Sequence, residues 1–211
     1  RLNRERELVG IYLSAHPLDE YAIVLNHVCN THVADLADMT PLSGKDVTLG
    51  GMITTVRRGK TKKGNDYVIA RIEDFSGSSE IALFGDDCPK FSGFLFEGAF
   101  LFIRAKCQGK QWNPNELELK IGSMELLPSV KDKLIEKLTI TVPLASLNAA
   151  VITDLAMYIK ASPGNAELFF KVIDAAGGMT IELLARPVKL SVQRDLILYL
   201  ESSPDLEYRI N

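Results

Sequence analysis

Three cysteines in 211 residues, Cys29, Cys88 and Cys107, are too few and too odd in number for a disulfide framework. Cys107 falls on the apolar side of an alternating segment, so a reducing compartment, the cytoplasm, is expected. No apolar run approaches the roughly 20 residues of a membrane span, and no signal peptide is visible; no membrane partner is expected. The net charge of −3 excludes a whole-molecule basic field for steering nucleic acid. There is no phosphate-cradling glycine motif, no internal repeat and no low-complexity tract. No clustered carboxylates, nucleophile–base pair or complete metal-ligand set stands out, so neither catalysis nor a cofactor is assigned. The chain opens at Arg1 without an initiator Met. It is expected to be a fragment of something longer.

Apolar residues make up 46% of the chain, enough for a sizeable core. Charge is unevenly spread. Residues 1–44 carry 3 basic and 6 acidic side chains, residues 45–127 carry 12 and 11, and residues 128–211 carry 9 and 10. The excess of the middle block sits in one stretch, Arg57 to Lys63, which holds five basic residues and no acid. Gly59 and Gly64 punctuate it, and a turn is expected there. A local basic patch of this kind suits a phosphate backbone.

Periodicity divides the chain in three. Residues 1–44 read as a helical lead-in: Arg4 to Leu13 is helical, Pro17 breaks it, and Tyr21, Val24, Leu25 and Val28 recur at helical spacing. From residue 45 the period becomes 2. Strands are expected at Val47–Arg57, Tyr67–Asp74, Glu80–Phe84, Ala99–Cys107 and Leu117–Ile121. A short helix or irregular link at Asp87–Phe94 is expected between the third and fourth. The Gly50-Gly51 pair is expected to supply a bulge or sharp bend. Five strands with the helix in that place match the small OB barrel, over residues 45–127. Residues 128–211 read as a small α+β domain. Its parts are a linking helix near Lys131–Lys137, a strand at Leu138–Val142, a helix carrying Ile152, Leu155 and Ile159, strands around Gly177-Gly178, a helix at Val192–Leu200 and an edge strand at Leu206–Ile210.

Three stretches resemble one family. Glu7-Leu8-Val9-Gly10-Ile11-Tyr12-Leu13-Ser14-Ala15-His16-Pro17-Leu18 is similar to the segment leading into the OB domain of bacterial DNA polymerase III alpha subunits. The Thr61-Lys62-Lys63-Gly64 loop resembles that family's OB core, together with Glu73-Asp74-Phe75-Ser76-Gly77 and Glu80–Phe84. The pattern after Pro128 is similar in order to its tail domain. The resemblance implies a non-catalytic carboxy-terminal fragment of a replicative DNA-directed DNA polymerase. Its OB domain would contact single-stranded template DNA and its tail would dock the tau subunit of the clamp loader. The family's catalytic carboxylates and its sliding-clamp motif would lie upstream of this chain.

The nucleic-acid candidates are Arg57, Arg58, Lys60, Lys62 and Lys63 for phosphates, with Tyr67 as a stacking ring and Arg71 as a phosphate partner. Phe84, Arg104 and Lys106 follow. Trp112, in an expected loop at Gln108–Asn115, could stack on a base but is better placed to cap the barrel end. The partner-binding candidates, implied by the resemblance, are Glu201, Asp205, Leu206, Glu207 and Tyr208. Blander readings stand beside these: a solvated hairpin tip, barrel cladding for Tyr67, and an edge strand for the tail. His27, Cys29 and His32 form H-x-C-x-x-H, but lack a fourth zinc ligand and point apart on a helix. Ser14, His16 and Asp19 read as a capped helix end, and Asp86-Asp87 as a solvated turn. The alternative functions are an anticodon-binding OB module of an aminoacyl-tRNA synthetase, suggested by Asp74 to Gly77 with Glu80, and a purely protein-binding platform.

Overall fold

A computed structural model describes residues 16–110 and 113–211. The described residues form two compact units, which meet in sequence between residues 130 and 131.

In the first unit, five antiparallel strands run β1 (Asp46–Lys60), β2 (Asp66–Glu73), β3 (Ser78–Leu83), β4 (Phe100–Lys110) and β5 (Asn113–Leu126). Their order is β3-β2-β1-β4-β5. The long β1 makes the curl possible. Its first half, Asp46–Met52, pairs with β4, and its second half, Met52–Lys60, pairs with β2. The concave side collects Val47, Leu49, Ile53, Val68, Ala70, Ile72, Leu101, Ile103, Cys107 and Ile121, all buried. A five-residue helix, α2 (Asp87–Phe91), lies between β3 and β4 and turns Cys88 into the same core. This is the OB arrangement that the alternation anticipates.

The strands are longer than their alternation shows. β1 runs on to Lys60, so Arg57 to Lys60 are strand rather than turn. β4 and β5 occupy most of the expected loop 108–115, and Trp112 lies outside the described residues. The glycine pair also has another role. The register of β1 shifts between Ile53 and Thr55. A Cβ on Gly50 would stand 2.6 Å from Leu25 Cδ2, and one on Gly51 would stand 2.6 Å from the Glu73 carbonyl. Gly51 is held to glycine by the backbone of β2, while Gly50 makes room for the Leu25 side chain of the lead-in helix.

The expected helix at Arg4–Leu13 and most of the Glu7–Leu18 stretch lie outside the described residues. The rest of the lead-in packs on the barrel. Helix α1 (Ala22–His27) buries Val24 and Leu25. The Tyr21 and Phe100 ring centroids are 5.0 Å apart. Asn30 then caps the stretch of β1 that β2 leaves unpaired. Its side chain accepts from Thr48 N–H (2.8 Å) and donates to the Asp46 carbonyl (3.0 Å). The D-x-S-G motif completes the attachment. Buried Asp74 accepts from the Ser76 and Gly77 N–H groups of its own turn, and from Val33 N–H of the lead-in at 2.9 Å. One carboxylate thus shapes the β2–β3 turn and staples a segment 41 residues away.

Helix α3 (Leu127–Leu134) carries the chain into the second unit. There β6 (Lys137–Pro143), β7 (Pro163–Asp174), β8 (Met179–Leu190) and β9 (Glu207–Ile210) form a sheet ordered β8-β7-β6-β9. β6 and β7 are parallel, joined across α4 (Ala149–Ala161), whose first turn is capped by Asn148 accepting from Ala150 and Val151 N–H. α5 (Arg194–Ser202) precedes β9, the short edge strand expected from the alternation. Leu155, Leu196 and Leu200 from the helices are buried together with Leu138, Ile140, Leu168 and Ile210 of the sheet.

Candidate nucleic-acid interface

The hairpin joining β1 to β2 is built by Thr61 and Gly64. Thr61 N–H donates to the Asn65 carbonyl and Gly64 N–H to the Thr61 carbonyl, both at 2.8 Å. Gly64 has φ +83°, a left-handed value that glycine adopts without strain. Lys62 and Lys63 are therefore held at the tip, exposed and without a partner among the described residues.

Cross-strand register decides what stands on the convex face behind that tip. Gly59 is opposite Tyr67, and Val68 opposite Leu83 brings Phe84 beside Tyr67. The Tyr67 ring lies over Gly59: a Cβ there would meet Tyr67 Oη at 2.6 Å and Cζ at 2.7 Å. The Tyr67 and Phe84 centroids are 5.9 Å apart with ring planes 30° from parallel, and Phe84 is 52% exposed. Beside them opens a cleft of about 810 Å³ lined by Lys60, Asn65, Tyr67, Gly85, Cys88 and Ser92. Two neighbouring rings therefore share the hairpin with two ammonium groups that have no partner among the described residues.

The side chains of Arg57, Arg58, Lys60 and Arg71 have partners. Arg57 donates to Glu80 at 2.8 Å and Lys60 lies 3.4 Å from Asp66. Arg58 donates to the carbonyls of Ser92 (3.0 Å) and Leu95 (2.8 Å), closing the chain that follows α2 onto β1. Arg71 donates to Ser78 Oγ. Arg104 and Lys106 stand elsewhere: they pair with Thr48 and Asp46 on the half of β1 that β2 does not touch. The Arg104 guanidinium lies 5.3 Å from the Phe102 ring centroid. A larger cleft, about 920 Å³, is lined by Glu73, Asp74 and Glu97 against the single cation Arg71, whereas the smaller one sets Arg58 and Lys60 against Asp66 and Asp86. Chemistry therefore favours the smaller cleft. The alternation alone did not reveal Gly59 as the seat of Tyr67. Its signal is positional, a glycine directly across from an outward aromatic.

His27 ends α1, Cys29 Sγ lies 3.5 Å from where a Gly50 Cβ would be, and His32 Nδ1 is 3.9 Å from Asp74. Burial, and then the Asp74 charge, push the Cys29 thiol up to about 12. Among the described residues no three metal-ligating side chains come together. Ser14 lies outside the described residues, while Asp19 accepts from His16 N–H in a tight turn. Asp87 pairs with Lys120 at 2.7 Å and raises its pKa.

In the second unit the tail candidates are built into the fold. Tyr208 Oη donates to Glu201 at 2.9 Å, Ser146 Oγ donates to Asp205 at 3.0 Å, and Leu206 is buried. Glu207 is exposed on β9. Burial, the Glu201 hydrogen bond and its charge push the Tyr208 phenol up to about 12.

Residues 47–127 match the OB-fold nucleic acid binding domain model, and residues 138–211 match the DNA polymerase III alpha subunit, C-terminal domain model. The DNA polymerase III subunit alpha of Pasteurella multocida is 26% identical over 183 residues, 86% of this chain and 16% of that protein. That of Haemophilus influenzae is 29% identical over 140 residues, 66% of this chain and 12% of that protein. The chain thus spans less than a sixth of the curated relatives it matches. Among solved structures, an asparaginyl-tRNA synthetase from Entamoeba histolytica is 19% identical, covering 47% of this chain and 23% of its own, with a TM-score of 0.32. With its barrel and its tail each matched, and alpha-subunit relatives along most of its length, the chain belongs to the DNA polymerase III alpha subunit family and corresponds to its carboxy-terminal region.

Proposed function

We propose that this region holds single-stranded DNA on the convex face of β1, β2 and β3. Bases stack on Tyr67 and Phe84, and the backbone runs past Lys62 and Lys63. The observation carrying the proposal is the Tyr67–Phe84 ring pair, with Tyr67 seated over Gly59, beside a cationic tip that has no partner among the described residues. Arg57, Lys60 and Arg71 flank the path and exchange their present partners only at a cost, while Arg58 serves the fold. On this reading nucleotide transfer belongs to parts of the alpha subunit outside this chain, and the strand bound here is template. The tail unit docks the tau subunit of the clamp loader, as the resemblance implies, with the β9 surface around Glu207 as the contact.

Fluorescence anisotropy with labelled single-stranded DNA and RNA tests the first part. DNA binding should weaken by about 1–3 kcal/mol for each ring in Tyr67→Ala and Phe84→Ala. Binding of RNA alone would favour the anticodon-type alternative, and binding of neither would leave a protein-binding platform. For the tail, Glu207→Arg is the clean variant, because reversing Glu201 or Asp205 breaks internal hydrogen bonds. Unchanged affinity of that variant for tau would move the contact off β9.

A further inference from the structure

The two edges of the second sheet are built differently. β9 is four residues long, follows Pro204 and exposes Glu207 and Arg209. Shortness and charge are the usual protection of an edge. β8 is twelve residues long, and its segment Met179–Leu184 holds no proline and no basic residue. Met179, Ile181, Leu183 and Leu184 are 58%, 51%, 51% and 41% exposed. The protective residues, Arg186, Pro187 and Lys189, come only afterwards, where the β7–β8 register is irregular. Register places Met179, Ile181 and Leu183 on one side of the strand, beside Val172 and Phe170 of β7. Thr180 and Glu182 face the other way, and Glu182 is paired with Lys137 at 3.1 Å. Among the described residues β8 pairs with β7 alone, and the open row of backbone donors and acceptors under its alternating apolar side chains fits an extended strand with the same alternation.

We infer that the occupant is β8 of a second copy of this chain, paired antiparallel about a two-fold axis at Ile181. The sequence is self-complementary in that register. Ile181 meets Ile181, Met179 meets Leu183, and Thr180 meets Glu182, so the apolar residues share one face and no like charges stand opposite. A shift of one residue would set Glu182 against an apolar neighbour on the wrong face. The joined sheets form one eight-stranded sheet, with the two apolar strips continuous across the seam. This inference is independent of the nucleic-acid reading, because it uses no residue of the first unit.

Sedimentation equilibrium on the intact chain tests it. The mass should rise with concentration from 23.3 kDa toward twice that value. Ile181→Lys should hold it at the monomer mass, with an unchanged circular dichroism spectrum as the folding control. Thr180→Lys places an ammonium opposite Glu182 of the second copy at both ends of the seam. It should tighten association by roughly two- to thirtyfold. Ile152→Lys, on exposed α4, should change nothing. A monomer at every concentration overturns the inference, and so does dimerisation by Ile181→Lys or loosening by Thr180→Lys. A monomer that still binds tau, and loses that binding in Ile181→Lys, would give β8 to the protein partner instead.

Discussion

The salt dependence of DNA binding can be worked out from how each cation is already engaged. Every phosphate neutralised on a single strand contributes about 0.7 to the slope of log K against log salt, through release of condensed counterions. Lys62 and Lys63 have no internal partner among the described residues, so each contributes in full. Arg57 and Lys60 must first leave Glu80 and Asp66. The freed carboxylate recruits a cation in turn, so their net release is small. Replacing Lys62 and Lys63 together by Ala should therefore lower the slope by about 1.4. Between about 50 and 200 mM salt the double variant should lose about sevenfold less affinity than the parent. Arg57→Ala and Lys60→Ala should each change the slope by well under 0.7. Anisotropy titrations of a labelled oligothymidylate at four salt concentrations read these slopes directly. An unchanged slope in the double variant would make the tip a solvated turn. Equal losses from all four residues would refute the sorting by internal partners.

Three other perturbations probe internal contacts of the two units. Asp74→Ala should destabilise the first unit by about 2–4 kcal/mol, because Val33 N–H is left buried and unpaired; denaturation near the wild-type midpoint would refute the staple. Asp74→Asn should recover only part of this, since its amide N–H₂ would face Val33 N–H. Gly59→Ala should displace Tyr67 and weaken DNA binding by about 1–3 kcal/mol while the circular dichroism spectrum is kept; full affinity would show that the ring need not sit there. Tyr208 holds its proton more tightly folded, about 12, than unfolded, about 10. Its contribution to stability is therefore complete below pH 10 and lost as pH rises from 10 to 12. Tyr208→Phe should flatten the alkaline fall of the denaturation midpoint over that window, and an unaltered fall would place the titration elsewhere.

The OB order was legible because Val47–Leu49, Val68–Ile72 and Leu101–Cys107 place a core residue at every second position, with Ile69 and Phe102 as apolar exceptions on the other face, and such a period is local information about one buried face. Strand ends were not legible. Arg57 to Lys60 and Gln108 to Lys110 alternate too weakly to mark a strand, and cross-strand hydrogen bonds extend them. The basic stretch was visible as composition, but its five residues are not equivalent. Arg58 answers two carbonyls more than thirty residues away, and no spacing encodes that.

By itself, then, the sequence determined what is carried by neighbouring residues: the period of each element, the turn at Gly64, the cationic tip and the short terminal strand. The tertiary structure alone decided the relations between distant residues. It set Tyr67 over Gly59 and beside Phe84, and it spent Asp74 and Arg58 on the fold. It also left β8 with an open edge while β9 closes the other side on charge and brevity. The physical reason is that propensity and periodicity act over a few residues. Which cation is free, which ring is exposed and which edge is unpaired depend on partners that only a closed chain brings into contact.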